Sequence, residues 1–202
     1  MRQTCTMLKV RGLTRPGIGP IDLDLSEGEC VALSGPSGVG KTLLLRAIAD
    51  LDPNSGRVTL KGEAREATPA PEWRRRVSYL AAESGWWEDM VAAHFTDAEA
   101  ARLLLPVLGL CPEALNWRVE HLSTGERQRL ALVRLLIQSP PVLLLDEPTS
   151  ALDTDTAKAV ETEIKKRCRD GAAILIVSHD DEQMKRLAGR RLHMKSGRLG
   201  EE

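Results

Sequence analysis

The chain has 202 residues, 42% of them hydrophobic and 28% charged. That is enough for one large domain with a single substantial core, and too apolar for a disordered chain. Lys and Arg number 28 against 29 Asp and Glu, and a net charge of -1 gives no electrostatic case for a nucleic-acid partner, so none is expected.

The four cysteines (Cys5, Cys30, Cys111 and Cys168) are scattered with no C-x-x-C pair, which argues against a zinc site or a disulfide framework and suits a reducing compartment. The N-terminal MRQTCTMLKVRGL lacks the apolar run of a signal peptide. The longest apolar stretch, Leu103 to Cys111, is interrupted by Pro106 and falls far short of the roughly 20 residues a membrane span needs. The expectation is a cytoplasmic chain that does not itself cross a membrane.

Taken in order, IDLDLS from Ile21 alternates at period 2, Glu27-Gly28 marks a turn, and ECVALSG predicts a second strand ending in a glycine-rich loop. KTLLLRAIADL has helical character and stops at Asp52-Pro53-Asn54-Ser55-Gly56. RVTLKG and Val77–Ala81 are further short strands. DAEAARLLL is predicted helical with Asp97 as its N-cap, inside a middle section from about Ala81 to His121 that has few β-branched residues.

STGERQRLALVRLLIQ predicts an amphipathic helix, with Leu130, Val133 and Ile137 on one face, and Pro140-Pro141 ends it. VLLLD then reads as a fully buried strand, TDTAKAVETEIKKRCRDG as a polar-faced helix, AAILIVS as a second buried strand and DDEQMKRLAG as a helix. RRLHMKSGRLG closes as strand and turn. Strands separated by helices predict an α/β fold, a mainly parallel sheet flanked by helices, with a small helical subdomain inserted.

The sharpest motif is G-P-S-G-V-G-K-T: Gly35, Pro36, Ser37, Gly38, Val39, Gly40, Lys41 and Thr42. It fits the phosphate-loop pattern, directly after a predicted strand and opening a helix. Glycines let backbone N–H groups turn inward around phosphates, and the helix N-terminus adds partial positive charge. Lys41 can reach β- and γ-phosphate oxygens, and the Thr42 hydroxyl can ligate Mg²⁺. The second motif is Val142 to Pro148, VLLLDEP, which sets Asp146 at a strand tip, where parallel sheets bind ligands. There Asp146 would hold Mg²⁺, and Glu147 could polarise an attacking water.

Between these motifs lies L-S-T-G-E, Leu122 to Glu126, running into RQRLALVRLLIQSPPVLLLDEPTSALD. This resembles the signature region of ABC-type ATPases, whose usual form is L-S-G-G-Q, and the order and spacing of motifs match that family from about Met7 onward. The resemblance implies a phosphate-loop NTPase fold of ABC type with an antiparallel β part, and a single domain over 1–202. Its catalytic core would be about 1–81 and 139–202, and its helical subdomain about 82–138.

The same resemblance implies a head-to-tail dimer, of two copies or of two different ABC ATPase subunits. In it Ser123, Thr124, Gly125 and Glu126 would face the γ-phosphate bound by the partner. Read from the residues alone, Ser123 and Glu126 form a capping box at a helix start. Ser150-Ala151-Leu152-Asp153 matches the family's interface loop, and His179 matches its switch histidine. The implied activity is Mg²⁺-dependent hydrolysis of ATP, with Glu147 and His179 catalytic and Thr42 and Asp146 holding the metal. It would drive a separate integral membrane transport subunit from the inner face of the cell membrane. A soluble ABC ATPase unconnected with transport and a weakly catalytic nucleotide-dependent clamp are the alternatives.

Two positions depart from the family pattern. In Val77-Ser78-Tyr79-Leu80-Ala81-Ala82-Glu83, Ala82 occupies the place of the usual glutamine, with Glu83 beside it. Arg15 sits where the family carries an aromatic that stacks on adenine; a guanidinium plane can stack on a base or lie exposed. Trp86-Trp87 falls where the family meets its membrane partner, and serves as an anchor there or as subdomain core. The runs Arg74-Arg75-Arg76 and Lys165-Lys166-Arg167 are expected to be solvated faces.

Overall fold

The computed structural model of the chain describes residues 5–201. The described residues form ten strands and six α-helices, and most of them lie where the apolar pattern predicts. A four-stranded antiparallel sheet, ordered β2-β1-β4-β5, is formed by β1 (Thr6–Arg15), β2 (Ile18–Ser26), β4 (Ser55–Leu60) and β5 (Glu63–Ala64). A six-stranded sheet has the order β10-β9-β3-β8-β7-β6. Its members are β3 (Cys30–Ser34), β6 (Val77–Leu80), β7 (Val142–Asp146), β8 (Ala173–Val177), β9 (Arg190–Lys195) and β10 (Arg198–Glu201). All neighbours in it pair in parallel except β10, which folds back antiparallel on β9.

The helices are α1 (Lys41–Ile48), α2 (Ala70–Arg76), α3 (Ala98–Leu104), α4 (Thr124–Leu136), α5 (Thr154–Arg169) and α6 (Asp181–Leu187). The parallel strands are apolar throughout because both of their faces are covered, and period-2 alternation divides their side chains between two cores. Val31, Leu33, Leu144, Leu175 and Val177 join the antiparallel sheet, α1 and Trp73. Ala32, Leu143, Leu145, Ile174 and Ile176 face the other way, onto α4, α5 and the leucines of residues 101–122.

Four elements escape the local sequence pattern: β1, β5, β10 and α2. In β1 the alternation breaks where the pairing register shifts around Gly12, whose φ is 57°. The helix α2 has seven residues, too few for a 3.6-residue period to declare itself, and a Pro at its start.

The middle section is less helical than its composition suggests. Around α3 it is built of 3₁₀ turns at Val91–His94, Pro106–Leu108, Pro112–Asn116 and Val119–His121. Pro106 and Pro112 each open one of these turns, and Gly109 closes the one that Pro106 opens, with φ 69°. A prolyl ring at those points cannot continue an α-helix.

The basic runs are mostly exposed, as expected, with Arg74, Arg75, Lys165 and Lys166 open to solvent, and some of their members also make bonds. Arg74 donates to the carbonyl of Asp50 at 2.7 Å, and Arg76 pairs with Glu63 at 2.7 Å. Likewise Arg167 pairs with the buried Glu163 at 2.7 Å. These cations fasten turns and helix faces instead of only solvating them.

Candidate functional site

The phosphate-loop residues Gly35–Gly40 join β3 to α1 at the C-terminal edge of the parallel sheet, so the loop emerges among the ends of β7 and β8. Two of its glycines are required by space as well as by conformation. Gly35 has φ 138° and a Cβ there would lie 2.5 Å from the Met194 carbonyl oxygen. Gly40 has φ 110° and a Cβ would meet Ile18 Cγ2 at 2.3 Å. Both positions are closed to any L side chain.

Lys41 is buried, and its ammonium donates to the carbonyls of Gly35 at 2.6 Å and Pro36 at 3.1 Å. The side chain thus curls over the loop it belongs to, its charge held at the loop's mouth. Thr42 donates its hydroxyl to Asp146 Oδ2 at 2.7 Å, bringing together the two predicted metal ligands from opposite motifs. Tyr79 at the end of β6 donates to the same oxygen at 3.1 Å, and burial above all pushes its phenol up.

Glu147 follows directly, and its backbone takes the left-handed conformation with φ 51°. Such a conformation costs a non-glycine residue about 1 kcal/mol. Local bonds hold it: its N–H donates to the Val177 carbonyl at 3.0 Å, and its own carbonyl accepts from Ser150 and from the buried Gln128 side chain. The carboxylate is turned toward His179, whose Nε2 lies 3.4 Å from Oε1. That oxygen is buried with no hydrogen-bond partner among the described residues. Burial raises the Glu147 pKa, partly opposed by His179 and by Lys41. A carboxylate made more basic by burial, with an acceptor oxygen facing His179, suits a proton-accepting role.

The signature residues are not drawn onto this loop. Ser123 caps α4, accepting from the Glu126 N–H at 3.2 Å. The Ser123 N–H and hydroxyl both donate to Glu126 Oε2 at 2.8 Å, and these two bonds hold the Glu126 carboxyl below its ordinary range. Ser123 and Thr124 are exposed. Gly125 packs on the loop of residues 150–153, where a Cβ would sit 3.0 Å from the Ala151 carbonyl oxygen. Asp153 caps α5 through Asp155 and Thr156.

Arg15 is neither exposed nor free. It pairs with Asp52 at 2.6 Å, and Arg46 grips the same carboxylate at 2.7 Å; Arg46 first and Arg15 second hold Asp52 well below the usual carboxylate range. Ala82 and Glu83 lie exposed just beyond β6. The two tryptophans separate: Trp86 packs against the second core, whereas Trp87 is 68% exposed. His94 lies edge-on to both, and the Arg134 guanidinium lies over both rings at about 5 Å. Trp87 and Glu88 donate their N–H groups to His94 Nε2, leaving Nδ1 for the Met90 carbonyl.

Tyr79 and Gln128 are the site residues that motif reading passes over. Gln128 carried a signal, being a polar residue on the buried stripe of α4 shared with Leu132 and Leu135.

A glycine-rich loop between a parallel strand and a helix, facing an acid at the tip of a second strand, defines the phosphate-loop NTPase fold. The family model described as ABC transporter matches residues 18–150, and the chain belongs to that family. It is 40% identical over 202 residues to the aliphatic sulfonates import ATP-binding protein SsuB 3 of Paraburkholderia xenovorans (strain LB400), covering 95% of this chain and 78% of that protein. It is 32% identical to the glycine betaine/carnitine/choline transport ATP-binding protein OpuCA of Bacillus subtilis (strain 168), over 92% of this chain. There it spans 53% of the relative, about half its length. A solved ATP binding subunit of an ABC transporter superposes with a TM-score of 0.86 at 24% identity, covering 97% of this chain and 90% of that one, a likeness of fold.

Proposed function

We propose that the chain binds and hydrolyses ATP with Mg²⁺ and so drives a separate membrane-embedded transport subunit. The observation that carries this reading is the meeting of Lys41, Thr42 and Asp146 at one end of the sheet, with Glu147 turned to His179 beside them. Among the described residues no helix is long and apolar enough to cross a membrane. Attachment to the inner face of the cell membrane would therefore come through the partner.

Triphosphate enters against the loop N–H groups and the start of α1. Lys41 exchanges its two carbonyl acceptors for phosphate oxygens, a charge-assisted replacement. Two hard oxygens, Thr42 Oγ1 and Asp146 Oδ2, stand 2.7 Å apart and suit magnesium, which takes few protein ligands and completes its shell with water and phosphate. Bound there, the ion would supply charge neutralisation at the β- and γ-phosphates. Glu147 Oε1 takes a proton from the attacking water, and His179 is placed to follow the charge that develops.

The exposed signature at the start of α4 supports a head-to-tail dimer, formed by two copies or with a related ABC ATPase subunit. In it Ser123, Thr124, Gly125 and Glu126 of one subunit complete the phosphate site of the other. Division into a core of about 1–81 and 139–202 and a subdomain of about 82–138 follows from the same reading. Phosphate release from ATP by purified protein, dependent on Mg²⁺ and absent without it, tests the activity. Copurification with an integral membrane protein tests the transport role, and an active ATPase that never does so would support the soluble alternative.

A further inference from the structure

The loops carrying Glu147 and His179 leave adjacent strands, β7 and β8, and a buried side-chain chain joins them from behind. Gln183 on α6 is 1% exposed. Its Nε2 donates to Thr149 Oγ1 at 2.8 Å and lies 3.3 Å from Glu161 Oε1 on α5. Thr149 stands two residues beyond Glu147. Glu161, itself 4% exposed, is gripped by Arg186 at both oxygens, at 2.6 and 2.9 Å. On the other side Asp180, next to His179, caps α6 by accepting from the Gln183 N–H at 3.0 Å. One residue therefore contacts the Glu147 loop through its side chain and the His179 loop through its backbone, and a buried, doubly bonded carboxylate sets its orientation.

We propose that Gln183 is a positioning residue that fixes the distance between Glu147 and His179, acting through Thr149. This rests on the reading of Glu147 as the group that takes the water's proton. The phosphate loop is not part of the chain of contacts, so nucleotide binding and catalytic rate should separate. A buried amide between a hydroxyl and an anchored carboxylate has one favourable orientation, and removing it leaves Thr149 without its donor and Glu161 without one of its partners. The Glu147 turn then keeps its bonds to Val177, Gln128 and Ser150 but loses the link that ties it to α6, and its left-handed backbone has room to relax.

The test measures kcat and KM for Mg-ATP, with thermal unfolding of each variant alongside. Gln183→Leu should lower kcat by about 10- to 100-fold, the scale of an ångström's misplacement, with KM near the parent's. Thr149→Val cuts the same link at a half-buried position and should lower kcat alike, and the double variant should be no slower than either single one. Thr149→Ser, which keeps the hydroxyl, should recover most of the rate that Thr149→Val loses. A kcat within twofold of the parent in a folded Gln183→Leu protein overturns the inference while leaving the proposed function intact. So does additivity of the two singles, or a loss shared equally by kcat and KM. Parent protein that binds ATP without turning it over overturns the role of Glu147 and this inference with it.

Discussion

In the half that carries the phosphate loop, apolar side chains are buried by paired strands, and nearly every polar group at the site has a partner inside the same half. The stretch between β6 and α4 solves the burial problem differently. It wraps Leu104, Leu105, Leu108 and Leu115 in one short helix and a series of 3₁₀ turns, and leaves Trp87, Met90, Leu103 and Val107 open to solvent. The first region holds its own geometry. The second keeps four large apolar side chains that the described residues do not cover. The candidate site sits where the backbone is over-determined, and the exposed apolar side chains sit where it is not.

The sharpest way to break that contrast is at the over-determined end. Glu147→Gln should lower ATP turnover by about 10²- to 10⁴-fold, the range lost with a positioned proton acceptor. It should keep nucleotide binding and trap a dimer with ATP, and phosphate release with size-exclusion chromatography reads both. Near-normal turnover would remove Glu147 from the mechanism.

Stability should divide along the same line. Trp73 is fully buried, with its indole N–H on the Ile48 carbonyl at 3.0 Å, so Trp73→Ala should lower unfolding free energy by about 3–5 kcal/mol. Trp87→Ala in the other region should change it by less than about 0.5 kcal/mol. Urea denaturation of both variants makes the comparison direct. Equal losses would show that the two regions share one core.

Lys41→Ala should weaken triphosphate binding by about 1.5–3 kcal/mol, the worth of a hydrogen bond to a charged group, while leaving the fold intact. Titration with a fluorescent ATP analogue measures it, and unchanged affinity would refute the phosphate contact. A smaller effect belongs to Asp52, depressed by Arg46 and Arg15. A carboxylate whose folded pKa is lowered stabilises the fold fully above its unfolded value of about 3.9, and loses that contribution as pH falls through the folded one. Asp52→Asn should therefore be destabilising by about 1 kcal/mol at pH 7, with the gap to the parent closing below about pH 4. The smallest change is expected from Ala82→Gln. Restoring an amide beside the metal ligands should raise turnover a few-fold and sharpen its Mg²⁺ dependence, whereas no change in either would place residue 82 outside the site.

What the sequence disclosed was whatever is encoded within a few residues. The phosphate loop, the acid at the tip of VLLLD, the Ser123–Glu126 capping box and the Asp97 cap are local patterns, and each stands in the structure at its expected element. What stayed hidden depends on partners distant in the chain. The partner of Arg15 is Asp52, 37 positions on, and no local pattern announces the pair. Tyr79 finds Asp146 across 67 positions and Gln128 finds Glu147 across 19, distances over which no periodicity carries information. The strand β1 was lost for a nearer reason, since a slip in register at Gly12 erases the alternation that identifies a strand.

The division of β7 between two cores has a consequence for how this gene can vary. Leu143 and Leu145 belong to one core and Leu144 to the other, and Asp146 ends the same ladder opposite Val177. Deleting or inserting a single codon between Pro141 and Asp146 would hand each leucine to the wrong core and turn the acid away from Thr42. Substitutions along β7 can be graded, leucine to isoleucine to valine, but its length cannot. Natural variation in this strand should therefore consist of exchanges in place, and a library of single-codon insertions should find no functional survivor there while tolerating some at the exposed residues Ala82 and Glu83.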